Sequence, residues 1–211
     1  TIILEPLSKK KPKSAVILCH GYGGDGKDIS ILANYWKAHL PETIFICPDG
    51  PEKCAASPTG HQWFDLIDQT PEQVLSKSLV AESKLNKLID EVKDKNNLLA
   101  NQIIIGGFSQ GCMISLQTGV KRKDTINSII GYSGRIIDTD HLRKNIISKP
   151  NIILMHGDID QIVPVNSLLE AKDFFNKNNY KIESRIFDNC EHRIPTEGSS
   201  LGLQFIKKHL S

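Results

Sequence analysis

No stretch of this sequence is long and apolar enough to span a bilayer, which excludes stable membrane insertion as an expectation. Charge of one sign is lacking too. Lys and Arg number 26 against 24 Asp and Glu, and the net charge of +2 predicts no strong attraction to nucleic acid. The one basic cluster, Lys9-Lys10-Lys11-Pro12-Lys13, lies between two strand-like runs and contains a proline, so it reads as a solvated loop. The N-terminal "TIILEPLSKKK" lacks the charged-then-apolar order of a signal peptide. Paired cysteines are missing as well. Cys19, Cys47, Cys54, Cys112 and Cys190 make an odd number without C-x-x-C spacing, which argues against a disulfide framework and against a zinc site. Cys19, Cys47 and Cys112 sit in apolar runs, where a reduced thiol behaves as a small hydrophobe. A reducing cytoplasm is the consistent compartment. There is no Pro/Ser-rich linker and no internal repeat, so the 211 residues are expected to form a single domain over 1–211.

What is present is a regular alternation. Strand-like runs fall at Ile2–Leu4, Ala15–Cys19, Thr43–Cys47, Gln102–Gly106, Ser128–Tyr132, Asn151–His156 and Lys181–Phe187. Helical patterns lie between several of them, at Asp28–Leu40, Glu72–Lys95, Asn166–Asn178 and Ser199–Leu210. The second of these places Leu75, Leu79, Leu85, Leu88, Ile89 and Val92 on one stripe, and Thr70 before Pro71 marks its start. Strands alternating with helices predict an α/β fold, a mainly parallel sheet covered on both faces. Two long loops stand out, Pro48 to Gln69 and "DNCEHRIPTEGSS" after the last strand. In such sheets ligands bind outside the carboxyl ends of the strands.

"IIIGGFSQGCMISL", from Ile103 to Leu116, carries the first chemical signal. Three β-branched residues suit a buried strand, and Cys112, Met113, Ile114, Leu116 and Val120 then recur at helical spacing. Between them lies G-x-S-x-G, with Ser109 at its centre. A tight strand-to-helix turn strains that residue and projects its oxygen above the sheet edge, and the flanking glycines let backbone pass close.

A serine hydroxyl needs a base within reach, and the base needs an orienting acid. Of seven histidines, His39 and His209 lie in lysine-rich helical surroundings and His141 in a polar stretch. His20, His61, His156 and His192 lie at strand ends or in the long loops. In "LMHGDIDQIVP" a buried strand is followed by Asp158 and Asp160. Either could orient a histidine from a later loop, or simply cap a turn. Chain order Ser, Asp, His is that of α/β-hydrolases, and His192 follows on the loop after the last strand. "VILCHGYGGDG" runs from a strand into a glycine-rich loop. It lacks G-x-x-x-x-G-K-[ST], so a phosphate cradle fits less well than a donor loop for an oxyanion. The candidate donors are the backbone N–H groups of Tyr22 and Gln110.

"LCHGYGGDG", "GFSQGC", "HGDIDQIVP", "WFDL" and the histidine loop together resemble the phospholipase/carboxylesterase family of small serine hydrolases. The resemblance spans nearly the whole chain. It implies an α/β-hydrolase fold with little or no cap and a triad of Ser109, Asp160 and His192, selecting Asp160 over Asp158. It implies substrate contacts at Trp63 and Ile162, and no metal or organic cofactor. The implied activity is serine carboxylic-ester hydrolysis through an acyl-enzyme on short- to medium-chain acyl esters. The alternatives it leaves are an acyl-protein thioesterase or lysophospholipase and, outside enzymes, a silent hydrolase-fold binding module. Relatives of this kind are monomers or homodimers. Three residues depart from the pattern: Glu191 before the histidine, Arg193 after it, and Cys112 in place of a glycine.

Overall fold

The computed structural model describes residues 1–67 and 69–210. Among the described residues nine strands form in chain order: β1 Ile2–Leu4, β2 Ser14–Cys19, β3 Thr43–Cys47, β4 Glu52–Lys53, β5 His61–Gln62, β6 Ile103–Phe108, β7 Ser128–Tyr132, β8 Asn151–Gly157 and β9 Ile182–Phe187. The helices are α1 Gly26–Trp36, α2 Pro71–Asn96, α3 Gln110–Gly119, α4 Thr139–Asn145, α5 Asn166–Lys177 and α6 Thr196–His209. The expected α/β class is observed. All seven strand-like runs of the sequence appear, in one seven-stranded sheet ordered β1-β3-β2-β6-β7-β8-β9. Within that sheet only β1 runs antiparallel, against β3; its other pairings are parallel.

Continuous apolar runs make these strands because both faces are covered. Val16 and Leu18 of β2 point to one side, with Ile104 of β6 and Ile130 of β7, and pack on Ile29, Leu32 and Trp36 of α1 and Phe205 and Ile206 of α6. Ala15, Ile17, Ile103 and Ile105 point to the other, against α2, α3 and α5. Two hydrogen bonds lock α6 in place: Trp36 Nε1 donates to Ser199 O at 3.0 Å and Tyr132 Oη to Gly198 O at 3.0 Å.

The start of α2 is as the sequence predicts. Thr70 and Gln73 form a reciprocal capping box and Pro71 opens the helix. The stripe is different. The buried residues are Val74, Ser78, Ala81, Glu82, Leu85, Ile89 and Val92, while Leu79 is exposed. Leucine content misled the reading: the face that meets α3 uses small residues and a polar pair, Ser78 with Gln117. Two elements had no sequence signal. The seven-residue α4 depends on its Asp138 cap, which accepts from His141 N at 2.7 Å. The β4–β5 hairpin lies within the long loop after β3.

The direction of winding reverses between β2 and β6. From β2 the chain crosses to β3 on one side, whereas β6 to β9 proceed to the other. Adjacent carboxyl ends whose loops diverge leave a crevice. Cys19 pairs with Gly107 there, so the loop after β2 and the turn holding Ser109 emerge side by side.

Candidate active site

Ser109 lies between β6 and α3 at φ 53° and ψ −117°, a left-handed conformation that an L-residue adopts only under constraint. The constraint is visible. Ser109 N donates to Tyr132 O at 2.8 Å, and Met113 N donates back to Ser109 O at 3.1 Å. The two glycines of the motif are required by crowding. A Cβ on Gly107 would lie 2.6 Å from the Gly111 carbonyl carbon, and one on Gly111 would fall on the carbonyl oxygen of Cys19. Ser109 Oγ has no hydrogen-bond partner among the described residues.

Asp160 and His192 meet. His192 Nδ1 lies 2.6 Å from Asp160 Oδ2, so Nδ1 carries the proton and Nε2 is left unprotonated. Asp160 Oδ1 accepts the backbone N–H groups of Ile162 and Val163, both at 2.9 Å. Burial opposes the charge of Asp160, but the bonds from His192, Val163 and Ile162 outweigh it and hold the carboxyl below its ordinary value. Asp158 turns elsewhere and accepts Cys190 N at 3.0 Å, bracing the loop that carries His192. The ring of His192 packs on Phe108, the residue before Ser109, with centroids 4.7 Å apart.

The loop after β2 reaches the same place. A Cβ on Gly21 would sit 3.4 Å from Ser109 Cβ, so this loop lies directly over the serine. Tyr22 and Gly21 line a cavity of about 510 Å³ together with Phe108 and His192. Gln110 is fully buried, and its side chain is committed to structure. Its Oε1 accepts Trp63 N at 2.8 Å and its Nε2 donates to Phe64 O at 2.6 Å.

Trp63 is turned into the protein. It is 3% exposed and lies outside the cavity lining, and its Nε1 donates to His20 O at 3.1 Å. That N–H holds the root of the glycine-rich loop. Ile162 is 72% exposed on the acid loop and also lies outside that lining.

Two histidines besides His192 do structural work that the sequence left open. His20 Nδ1 bonds Gly21 O at 2.7 Å, so it carries the proton, and Nε2 accepts Gly50 N at 2.7 Å. His156 Nε2 lies 2.7 Å from Val163 O and 3.4 Å from Asp160 Oδ2. Burial lowers the pKa of both rings and keeps them neutral. The sequence signal was their place at strand ends, which does not distinguish bracing from catalysis.

The sequence pattern of the phospholipase/carboxylesterase family matches residues 5–211. This chain belongs to the phospholipase/carboxylesterase family. As a member of it, the chain is an α/β-hydrolase-fold enzyme. It is 32% identical to acyl-protein thioesterase 1 of Saccharomyces cerevisiae over 216 residues, 94% of each chain. It is 30% identical to acyl-protein thioesterase 1 of Yarrowia lipolytica over 178 residues, covering 79% of this chain and 78% of that one. Among solved structures, the esterase PE8 superposes with a TM-score of 0.94 at 31% identity, over 99% of this chain and 98% of the other. Among the described residues of this family member, no helix is long and apolar enough to cross a membrane.

Proposed function

We propose that the protein hydrolyses acyl esters with Ser109 as nucleophile, His192 as general base and acid, and Asp160 as the orienting carboxylate, within one domain over residues 1–211. The observation that carries this is the 2.6 Å contact between His192 Nδ1 and Asp160 Oδ2, with the His192 ring packed on Phe108 next to a serine held at φ 53°. With Nδ1–H committed to Asp160, Nε2 takes the Ser109 proton as Oγ attacks the acyl carbonyl. The backbone N–H groups of Tyr22 and Gln110 receive the oxyanion, which gains most in a site shielded from water. His192 then gives its proton to the departing alcohol. The same imidazole activates water to release the acid from Ser109. No metal or cofactor enters this sequence of steps. Ile162, exposed beside Asp160, is available to the acyl chain.

Short- to medium-chain esters are the proposed substrates, and the proposed setting is cytoplasmic, as monomer or homodimer. A thioester reading has one specific support: the yeast relatives are named acyl-protein thioesterases. The test is hydrolysis of p-nitrophenyl esters from acetate to palmitate, beside matched thioesters, with labelling by a fluorophosphonate probe. Activity and labelling that vanish together in Ser109→Ala support the triad. Labelling that survives in Ser109→Ala, or no turnover of any ester or thioester by a folded protein, defeats it.

A further inference from the structure

His192 lines a cavity together with Gly21 and Tyr22 of the loop that lies over Ser109. Its walls are α1, through Ile31 and Tyr35, and the segment that follows the histidine, through Arg193 and Ile194. In acyl transfer the base that deprotonates the nucleophile must later protonate the departing oxygen, so the leaving group lies against the imidazole. A cavity lined by His192 and its next residues is therefore placed for the alcohol or thiol half of the substrate, not the acyl half.

Its chemistry is mixed. Ile31 and Tyr35 are 66% and 69% exposed, one turn apart on α1, and form an open apolar wall. Arg193 is exposed and, unlike Arg122, Arg143 and Arg185, has no carboxylate at ion-pair distance among the described residues. Asp28 also lines the cavity, but its Oδ2 accepts Asp25 N at 3.2 Å in the capping box of α1. There the positive end of the helix offsets part of its charge.

Resting on the ester-hydrolase reading above, we propose that this cavity binds the leaving group and that Arg193 selects alcohols or thiols carrying an anionic group next to an apolar body. A carboxylate or a phosphate would meet the guanidinium in the same way. Substrates of this class are esters and thioesters whose acyl part is ordinary and whose other half is an amphipathic anion.

The test compares 3-carboxyphenyl butyrate with 3-carbamoylphenyl butyrate, which differ by one charge on the leaving group. Each kcat/KM is divided by the rate of spontaneous hydrolysis at the same pH. The wild-type protein is expected to prefer the carboxylate by about three- to tenfold, mainly through KM, with the preference shrinking in salt. Arg193→Gln should bring the ratio to about one, and Arg193→Lys should keep most of it. A ratio unchanged by Arg193→Gln, or a wild-type preference for the carboxamide, overturns the proposal. Binding of 3-hydroxybenzoate and 3-hydroxybenzamide to Ser109→Ala, followed by calorimetry, needs no turnover. If both esters are inert but the benzoate still binds better in an Arg193-dependent way, the anion site stands and the hydrolase reading fails. Equal binding of both phenols removes the site even if ester hydrolysis is robust.

Discussion

His156 Nε2 lies 3.4 Å from Asp160 Oδ2, the same oxygen that His192 contacts at 2.6 Å. Val163 O, 2.7 Å from the same nitrogen, can only accept, so His156 presents an N–H to both. A neutral imidazole thus ties the acid loop to itself and adds a donor to a carboxylate whose side chain is fully buried. His156→Phe keeps the ring volume and removes the donor. The expected cost is about 1–3 kcal/mol in urea unfolding, for one buried acceptor left short. It should also lower kcat, but far less than Asp160→Asn, for which about 10⁴-fold is expected from loss of the correct tautomer. Unchanged stability and kcat in His156→Phe would remove its positioning role.

Strain at Ser109 should be measurable. Its φ of 53° with ψ of −117° lies where glycine rests easily and alanine does not. Ser109→Gly and Ser109→Ala both delete the hydroxyl and are expected to be inactive. They should differ in stability: the glycine variant is expected to exceed the alanine variant by about 1 kcal/mol, because relief of strain outweighs the added freedom of the unfolded chain. Thermal unfolding of the two side by side checks this. An alanine variant as stable as the glycine variant would mean that the turn stores no strain.

Much of this molecule was legible in the sequence, for identifiable reasons. Strands buried on both faces write themselves as runs such as Ile103-Ile104-Ile105, and their alternation with helices predicts a mainly parallel sheet, whereas the strand order is set by crossovers that no local pattern encodes. Ser109 was marked by its two glycines, because backbone crowding leaves no alternative there. The choice between Asp158 and Asp160 was not legible from the residues alone. Both are loop aspartates two positions apart, and only the path of the chain sends one to His192 and the other to Cys190 N. The bond from Trp63 to His20 O was not legible either. A tryptophan's bulk and its N–H are both visible in sequence, but not which of them a loop will use.

Acid should weaken the fold in two stages. Burial is the largest influence on His20 and His156, and it lowers both pKa values below the ordinary imidazole value. A histidine kept neutral in the fold gains its proton first in the unfolded chain. Stability from these groups is therefore full above pH of about 6.5 and falls as pH drops below it. His20 has a structural reason as well: protonating Nε2 would destroy the acceptor of Gly50 N. Asp160, held below its ordinary value, adds a second loss as pH falls through its lowered pKa. Urea unfolding at pH 8, 6 and 5 should show stability declining, with net proton uptake on unfolding at pH 6. A flat profile between pH 7 and pH 5 would contradict the assignment.

Gln110 joins scaffold and chemistry most tightly. Its backbone N–H is the proposed oxyanion donor, and its amide side chain holds Trp63 N and Phe64 O in a fully buried setting. Trp63 in turn holds His20 O at the root of the loop that carries Tyr22. Gln110→Ala leaves the donor N–H in place but strands one buried acceptor and one buried donor, each costing about 1–3 kcal/mol. The expected result is a clear loss of stability together with a lower kcat, since Trp63 would no longer fix the second donor loop. Gln110→Glu discriminates the routes. Its carboxylate can still accept from Trp63 N but has no N–H for Phe64 O, so it should retain more kcat than Gln110→Ala if the Trp63 contact is what matters. If Gln110→Ala is destabilised yet keeps full kcat at a temperature where it is folded, the side chain supports the fold alone and the link from Gln110 through Trp63 to the oxyanion loop does not operate.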